Sequence, residues 1–209
     1  MVMMRRRITK ETESMDINII LFKDFETLDA FGPVEILGIL REHYQLEFYS
    51  PTGGVIESRQ GVKVVTRHWK ELNQKGILFL PGGAGTRVLV QDEDFIKTLQ
   101  EYAMSAAYCL TVCTGSGLLA KTGLLSNRSA TSNKRAFDWA VSMDNDVNWL
   151  KKARWSVDGK YYTSSGVSAG MDMTLGFIAD RHGIETAEEV ANRMEYLWNQ
   201  DKDNDSFAI

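Results

Sequence analysis

Short apolar runs alternate with longer amphipathic segments along most of this chain. Residues 17–22 (INIILF), 76–80 and 108–112 are apolar runs with β-branched members, which indicates strands buried on both faces. Residues 92–104 carry apolar side chains at helical spacing and charged side chains on the opposite side. Because strand and helix alternate almost throughout, the pattern predicts an α/β fold with a mostly parallel central sheet and helices on both faces.

The remaining segments extend this prediction. Further strands are expected at residues 45–50, 62–66, 129–131, 153–157 and 160–164. Further helices are expected from residue 29 onward, around 136–143, after residue 170 and over 187–198. Thr186 and Glu189 form a T-x-x-E pattern that predicts a capping box for the last helix. Pro33 is compatible with the first helix only if it lies in the first turn.

One junction between strand and helix carries a cysteine. The run 108–112 ends at Cys113-Thr114-Gly115-Ser116-Gly117, and residues 118–121 favour a helix. A side chain in such a tight turn projects at the carboxyl end of the sheet, toward the first N–H groups of the next helix. The helix dipole should lower the pKa of Cys113 from about 8.5 to roughly 3.5–7.5, which suits a nucleophile. The alternative is a small apolar cysteine that completes a buried strand, as expected for Cys109.

Three loops follow predicted parallel strands and should therefore meet at one edge of the sheet, where ligands bind in such folds. They comprise residues 24–29, 82–85 and 113–116. The glycine cluster at 82–85 lacks both the Gly-Lys-Ser/Thr ending and the G-x-G-x-x-G spacing, which argues against a phosphate loop.

Composition narrows the function classes. With 209 residues, 44% hydrophobic and 25% charged, the chain has the makeup of one sizeable soluble domain. A net charge of −4 argues against nucleic acid as a partner, and no apolar run approaches the roughly 20 residues of a membrane span. Two cysteines do not make a disulfide framework, which favours the cytoplasm. Scattered histidines without a C-x-x-C pair predict no metal, and no organic cofactor is expected.

The N-terminal segment differs from the rest of the chain. Residues 1–14 are basic and polar and lack the apolar core of a secretory signal. We expect a disordered arm or a start-site artefact there, followed by a single domain over residues 15–209.

Several of these segments together resemble the ThiJ/PfpI superfamily, whose members have a flavodoxin-like three-layer sandwich and a cysteine at a nucleophile elbow. The resemblance covers about residues 16–207 and is carried by Leu28-Asp29-x-x-Gly32-Pro33, Leu80-Pro81-Gly82-Gly83, Val112-Cys113-Thr114-Gly115, Leu119-Ala120-x-x-Gly123-Leu124-Leu125 with Arg128-x-Ala130-Thr131, and Gly166-x-x-Ala169-Gly170-x-Asp172. The D-x-x-G-P segment and the C-T-G elbow are most similar to the isonitrile hydratase branch. That similarity places the acid on Asp29, the nucleophile on Cys113 and a neighbouring threonine on Thr114.

The resemblance implies a small-molecule substrate and a homodimer. It also implies a hydratase that adds water to a small isonitrile to give an N-substituted formamide, with Asp29 as general acid and base. The expected donors to developing negative charge are the backbone N–H groups of Gly82, Gly83 and Thr114, and the expected substrate contacts are Gly115 and Asn133. If Asp29 and Cys113 share a partly dry pocket, one proton is shared across the pair. The alternative for Asp29 is a helix cap without a catalytic role.

One position departs from the pattern of this branch. The branch commonly has a histidine where this chain has Asn133, in Ala130-Thr131-Ser132-Asn133. An amide is not a general base near neutral pH, so hydrolysis through a cysteine–histidine pair is not expected. Nothing in the sequence directs His43, His68 or His182 toward the elbow.

Three other functions stay open on this reasoning. The superfamily includes cofactor-free glyoxalases and amidase-like members. An accessible thiol beside a carboxylate also suits a redox sensor. A ligand-sensing module of the kind fused to transcription regulators is the third, although no helix-turn-helix segment follows the domain in this sequence.

Overall fold

An eight-stranded sheet forms the centre of the molecule in the computed structural model, which describes residues 14–208. The sheet order is β3-β4-β2-β1-β5-β6-β10-β9, and every pairing is parallel except the two outermost ones. A small parallel pair, β7 and β8, stands apart from it. The strands are β1 (Met15–Ile20), β2 (Tyr44–Ser50), β3 (Gly54–Glu57), β4 (Lys63–His68), β5 (Ile77–Leu80), β6 (Tyr108–Val112), β7 (Ser129–Ala130), β8 (Asn148–Trp149), β9 (Trp155–Asp158) and β10 (Tyr161–Ser164).

The helices form two groups. In chain order, the second, third and fifth α-helices each pack against the fourth, which follows the cysteine turn, and the first packs against the last two. The α-helices are α1 (Thr27–Ile39), α2 (Thr86–Leu89), α3 (Glu93–Ser105), α4 (Gly115–Lys121), α5 (Phe137–Val141), α6 (Ala169–His182) and α7 (Ile184–Arg193). The predicted α/β class with a mostly parallel, flavodoxin-like sheet is confirmed.

Strands β5, β6 and β10 place the cysteine turn in the middle of the sheet edge. Strand β6 covers the predicted residues, and it pairs in parallel with β5 on one side and β10 on the other. Its apolar residues are buried because both faces of a central strand are covered. The residue that follows Val112 therefore lies between the carboxyl ends of two neighbouring strands.

Two local predictions are wrong. Helix α1 begins at Thr27, so Pro33 lies in its second turn rather than its first. Helix α7 begins at Ile184 and ends at Arg193, so Thr186 is inside the helix and its hydroxyl donates to the carbonyl of His182 (3.0 Å) instead of capping. In both cases the helix starts earlier than the local signal suggested, because tertiary packing overrides a local cap preference. Strand β3 and helix α2 were not predicted at all.

The predicted N-terminal arm lies outside the described residues apart from Ser14. The Ser14 hydroxyl accepts a hydrogen bond from Gln45 Nε2 (2.8 Å) at the start of β2. Within residues 14–208, none of the helices combines the length and the apolar character needed to cross a membrane.

Candidate active site

Cys113 lies directly between β6 and α4 in a left-handed backbone conformation, with φ = 58°. That conformation is unfavourable for a residue with a Cβ, and surrounding hydrogen bonds hold it. The Cys113 N–H points at the carbonyls of Ser164 and Ser165 at the end of β10 (3.2 Å each). The Cys113 carbonyl accepts from the hydroxyls of Ser116 (2.9 Å) and Ser132 (3.0 Å). This is the strand–turn–helix elbow that the sequence predicts, with the cysteine 6% exposed.

Asp29 reaches the elbow from the first turn of α1. Its side chain is fully buried, and Oδ2 accepts a hydrogen bond from the backbone N–H of Gly82 (2.9 Å). Within residues 14–208, the second carboxylate oxygen, Oδ1, has no conventional hydrogen-bond partner. Such an oxygen is costly to bury in the ionised form and free to accept a proton.

Burial governs the ionisation of both groups. It raises the pKa of Asp29 to about 7, against the lowering effect of the Gly82 N–H, and the charge on Glu26 and the Cys113 thiol contribute less. Burial also raises the pKa of Cys113 to about 12, and the charge on Asp29 raises it further. The expectation of a low thiol pKa is therefore wrong, because desolvation and a nearby carboxylate outweigh the dipole of the short helix α4. Near neutral pH the Cys113 thiol is therefore protonated, and the Asp29 carboxyl is close to half ionised.

Three donors nevertheless lie at the Cys113 sulfur. The Asn133 amide Nδ2 is 3.2 Å from Sγ, and this amide together with the backbone N–H groups of Thr114 and Val167 lowers the pKa of Cys113 against the effect of burial. Asn133 thus occupies the place where a histidine was expected, and its amide donates to sulfur rather than removing a proton. Val167, which has φ = 42°, was not identified from sequence.

The glycine loop after β5 connects the carboxyl to the elbow. Its Gly83 N–H donates to the Thr114 hydroxyl (3.0 Å), and the Thr86 hydroxyl lies 3.2 Å from the same oxygen. The N–H groups of Gly82 and Gly83, expected to be donors to substrate, are thus already hydrogen-bonded to Asp29 and Thr114. The structure differs from the sequence expectation because the loop packs onto the elbow instead of leaving its N–H groups open.

Close backbone approach explains two of the glycines at this site. A Cβ on Gly82 would lie 2.6 Å from the Thr114 nitrogen and 2.9 Å from Asp29 Oδ2. A Cβ on Gly115 would lie 2.6 Å from the Leu80 carbonyl oxygen. Gly115, expected to contact substrate, therefore packs against the end of β5, and Gly82 permits the contact between carboxyl and elbow.

The three histidines lie elsewhere. The rings of His43 and His182 are 4.5 Å apart, and His182 also bonds the Tyr44 hydroxyl (2.8 Å). His68 accepts a hydrogen bond from the Lys70 N–H (3.1 Å). Residues 14–208 contain no group of three or more His, Cys, Asp or Glu side chains placed to hold a metal ion.

The family model for the DJ-1/PfpI family matches residues 15–180. The chain belongs to the DJ-1/PfpI family. This confirms the resemblance stated from the motifs. The chain is 28% identical over 184 residues to an isonitrile hydratase from Pseudomonas putida, a match that covers 88% of this chain and 79% of that protein. It is 29% identical over 190 residues to the HTH-type transcriptional regulator CdhR from Pseudomonas aeruginosa, covering 86% of this chain and 54% of the regulator.

Solved structures of the DJ-1/PfpI type share the fold. A THiJ/PfpI family protein from Pseudomonas syringae superimposes with a TM-score of 0.81 at 25% identity, covering 94% of this chain and 81% of that one. Drosophila melanogaster DJ-1beta superimposes with a TM-score of 0.74 at 19% identity, covering 88% and 100% respectively, a likeness that shows the fold alone.

In this DJ-1/PfpI chain the structure brings together most of the predicted site. Asp29, Gly82, Cys113, Thr114 and Asn133 are within one connected set of contacts. Sequence reasoning missed the Thr86 hydroxyl and the Val167 N–H. Thr86 comes directly after the glycine loop 82–85, and Val167 comes directly after Gly166, which follows a predicted strand. Both residues are therefore adjacent to positions that the sequence identifies.

Proposed function

We propose that this DJ-1/PfpI protein adds water to a small isonitrile and releases the N-substituted formamide without a cofactor. Cys113 is the nucleophile, and Asp29 is the general acid and base. The observation that carries the proposal is a fully buried carboxyl beside the thiol of a strained elbow, with one oxygen that has no partner among residues 14–208. The identity to an isonitrile hydratase supports this substrate class.

The first half of the reaction begins with a neutral thiol and an ionised Asp29. Asp29 Oδ1 accepts the thiol proton while Sγ forms a bond to the terminal carbon of the isonitrile. Asp29 then gives this proton to the same carbon. The product is a thioimidate, R–N=CH–S, attached to Cys113, and the carboxylate is restored.

The second half adds the water. Asp29 removes a proton from a water molecule whose oxygen bonds to the thioimidate carbon, and it passes that proton to the nitrogen. The C–S bond then breaks, and the remaining hydroxyl proton returns to sulfur by way of Asp29. The released molecule is R–NH–CHO, so one water is consumed and both side chains regain their starting states.

Neighbouring groups have separate tasks in this scheme. The Asn133 amide and the N–H groups of Thr114 and Val167 stabilise the thiolate as it forms and as it leaves. The Gly82 N–H holds the carboxyl in place. The Thr114 hydroxyl is committed to the loop after β5 and positions that loop.

Turnover of cyclohexyl isocyanide to its formamide tests the proposal. We expect Cys113→Ala to abolish turnover and Asp29→Asn to reduce kcat/KM by about 10²–10⁴-fold, the range of general acid–base catalysis. Cys109→Ala is the matched control, because Cys109 is also buried and free but lies within β6. Absence of turnover in the native chain, or turnover that survives Cys113→Ala, would contradict the assignment.

Turnover should also depend on pH. The active form needs an ionised Asp29, so kcat/KM is expected to rise about tenfold per unit below pH 7 and to level off above it. A profile that is flat between pH 5 and 8 would argue against Asp29 as the proton carrier.

A ligand-sensing role is the second candidate, favoured by the identity to CdhR. The chain spans about half the length of that regulator. A sensing module would bind a small molecule without consuming it, and Cys113→Ala would leave that binding unchanged. The redox-sensor alternative loses support, because the thiolate is the form that peroxide oxidises and burial keeps this thiol protonated.

A further inference from the structure

A small cavity of about 230 Å³ lies next to the elbow. Asn133 and Val167, which donate to the Cys113 sulfur, form one part of its wall. Phe207, which is followed by two residues in the sequence, forms another part. A segment more than ninety residues from the nucleophile in sequence therefore borders the same space as the sulfur's hydrogen-bond donors.

The segment that carries Phe207 is firmly attached to the domain. Asp205 is buried, its carboxylate lies 3.5 Å from the Arg154 guanidinium, and its N–H donates to the Lys152 carbonyl (2.7 Å). The Arg154 N–H in turn donates to the Lys202 carbonyl (2.8 Å). The Phe207 N–H donates to the Asp205 carboxylate (3.0 Å). These contacts fix the backbone of Phe207 at the cavity.

Residues 14–208 leave most of Phe207 exposed. Its side chain is 70% exposed, although an aromatic ring of this size is stabilised by burial. The backbone of Phe207 is thus fixed, and its ring is free to contact a molecule in the cavity beside the nucleophile. This arrangement suits a side chain that covers a bound ligand.

We propose that Phe207 is a specificity-determining residue whose ring covers the apolar substituent of a compact, uncharged molecule bound at Cys113. The cavity is smaller than the roughly 300–1,000 Å³ of drug-sized sites, which favours a compact ligand. Lys134 also lines the cavity, but its ammonium donates to the Thr131 hydroxyl (2.8 Å) and to the Ala153 carbonyl. Its charge is thereby directed at the protein, and the other cation that lines the cavity, Arg135, is exposed to solvent. The identity of the reacting group, an isonitrile, rests on the proposed function. The role of Phe207 at the cavity does not depend on it.

Alkylation of Cys113 tests this inference independently of any turnover. The probes are iodoacetamide, N-cyclohexyl-2-iodoacetamide and iodoacetate, applied to a Cys109→Ala background and followed by intact mass. We expect the cyclohexyl reagent to react faster than iodoacetamide, and Phe207→Ala to reduce that preference about fivefold to tenfold. Leu197→Ala is the matched control, because Leu197 is an apolar residue that is 95% exposed and does not line the cavity.

Turnover supplies a second arm. Phe207→Ala should raise the KM for cyclohexyl isocyanide by a similar factor while changing kcat less than twofold, and methyl isocyanide should be unaffected. If the native chain has no turnover but Phe207→Ala still removes the alkylation preference, the isonitrile assignment fails and this inference stands. If turnover occurs and Phe207→Ala changes neither preference nor KM, or if iodoacetate reacts fastest, the inference is overturned.

Discussion

Two aspartates of this molecule are equally buried and have opposite surroundings. Asp29 and Asp172 are both fully inaccessible, and each lies in the first turn of a helix, α1 and α6 respectively. Asp172 contacts the Arg154 guanidinium at 2.6 Å and accepts from the Tyr196 hydroxyl and the Asn199 N–H at 3.0 Å each. Asp29 has one backbone donor and one unpartnered oxygen within the described chain.

The difference teaches that burial alone does not make a carboxyl reactive. Burial raises the pKa of both groups, but around Asp172 the Arg154 cation and two further donors, the Asn199 N–H and the Tyr196 hydroxyl, act in the opposite direction. Around Asp29 only the Gly82 N–H and, to a smaller extent, the Cys113 thiol oppose burial, and the pKa reaches about 7. A carboxyl that is paired with a cation and two further donors fastens the C-terminal segment to the domain, whereas a poorly compensated one exchanges protons near neutral pH.

The same substitution at both positions gives the largest expected contrast. Asp172→Asn leaves the Arg154 charge buried with a weaker partner, so we expect the free energy of unfolding to fall by about 3–5 kcal/mol. Asp29→Asn keeps the shape and the bond from Gly82 while removing an uncompensated charge, so at pH 8 we expect no loss of stability. Urea unfolding of both variants measures this, and similar losses at the two sites would remove the distinction.

A smaller effect concerns how the free energy of unfolding depends on pH. The Asp29 carboxyl ionises near pH 4 in the unfolded chain and near 7 in the folded one, so ionisation favours the unfolded state. The native chain should therefore lose about 3 kcal/mol of stability between pH 5 and pH 7 from this group, at about 1.4 kcal/mol per unit, and little more above pH 7. The Asp29→Asn variant should lack this loss. Equal pH slopes in the two proteins, measured by urea unfolding, would show that Asp29 is ionised at pH 5.

The smallest expected effect concerns the thiol. The Asp29 charge raises the pKa of Cys113, so Asp29→Asn should lower it and increase the thiolate fraction at pH 8. We expect alkylation by iodoacetamide to accelerate about tenfold for each unit by which the pKa falls. Asp172→Asn serves as the control and should leave the alkylation rate unchanged. An unchanged rate in Asp29→Asn would show that the charge on Asp29 does not influence the Cys113 thiol.

Much of the fold follows from local patterns. The strand Tyr108–Val112 agrees with the structure residue for residue, because a short apolar run that ends in Cys-Thr-Gly has few alternatives. Element ends are less predictable, as Thr186 and Pro33 illustrate, because side-chain caps and proline preferences are small compared with tertiary packing. In the C-terminal segment Asp205 is buried against Arg154, a long-range contact that no local pattern indicates.

The sequence by itself determined that three loops at one sheet edge would bring a carboxylate, a glycine turn and a cysteine together. That follows from the alternation of strands and helices along the chain and from the period of the apolar residues, which are local properties. Only the tertiary structure decided that the Cys113 thiol is hard to ionise, that the Gly82 and Gly83 N–H groups are occupied, and that Phe207 borders the site. The physical reason is that desolvation and hydrogen bonding depend on which atoms surround a group, and here those atoms come from residues dozens of positions apart.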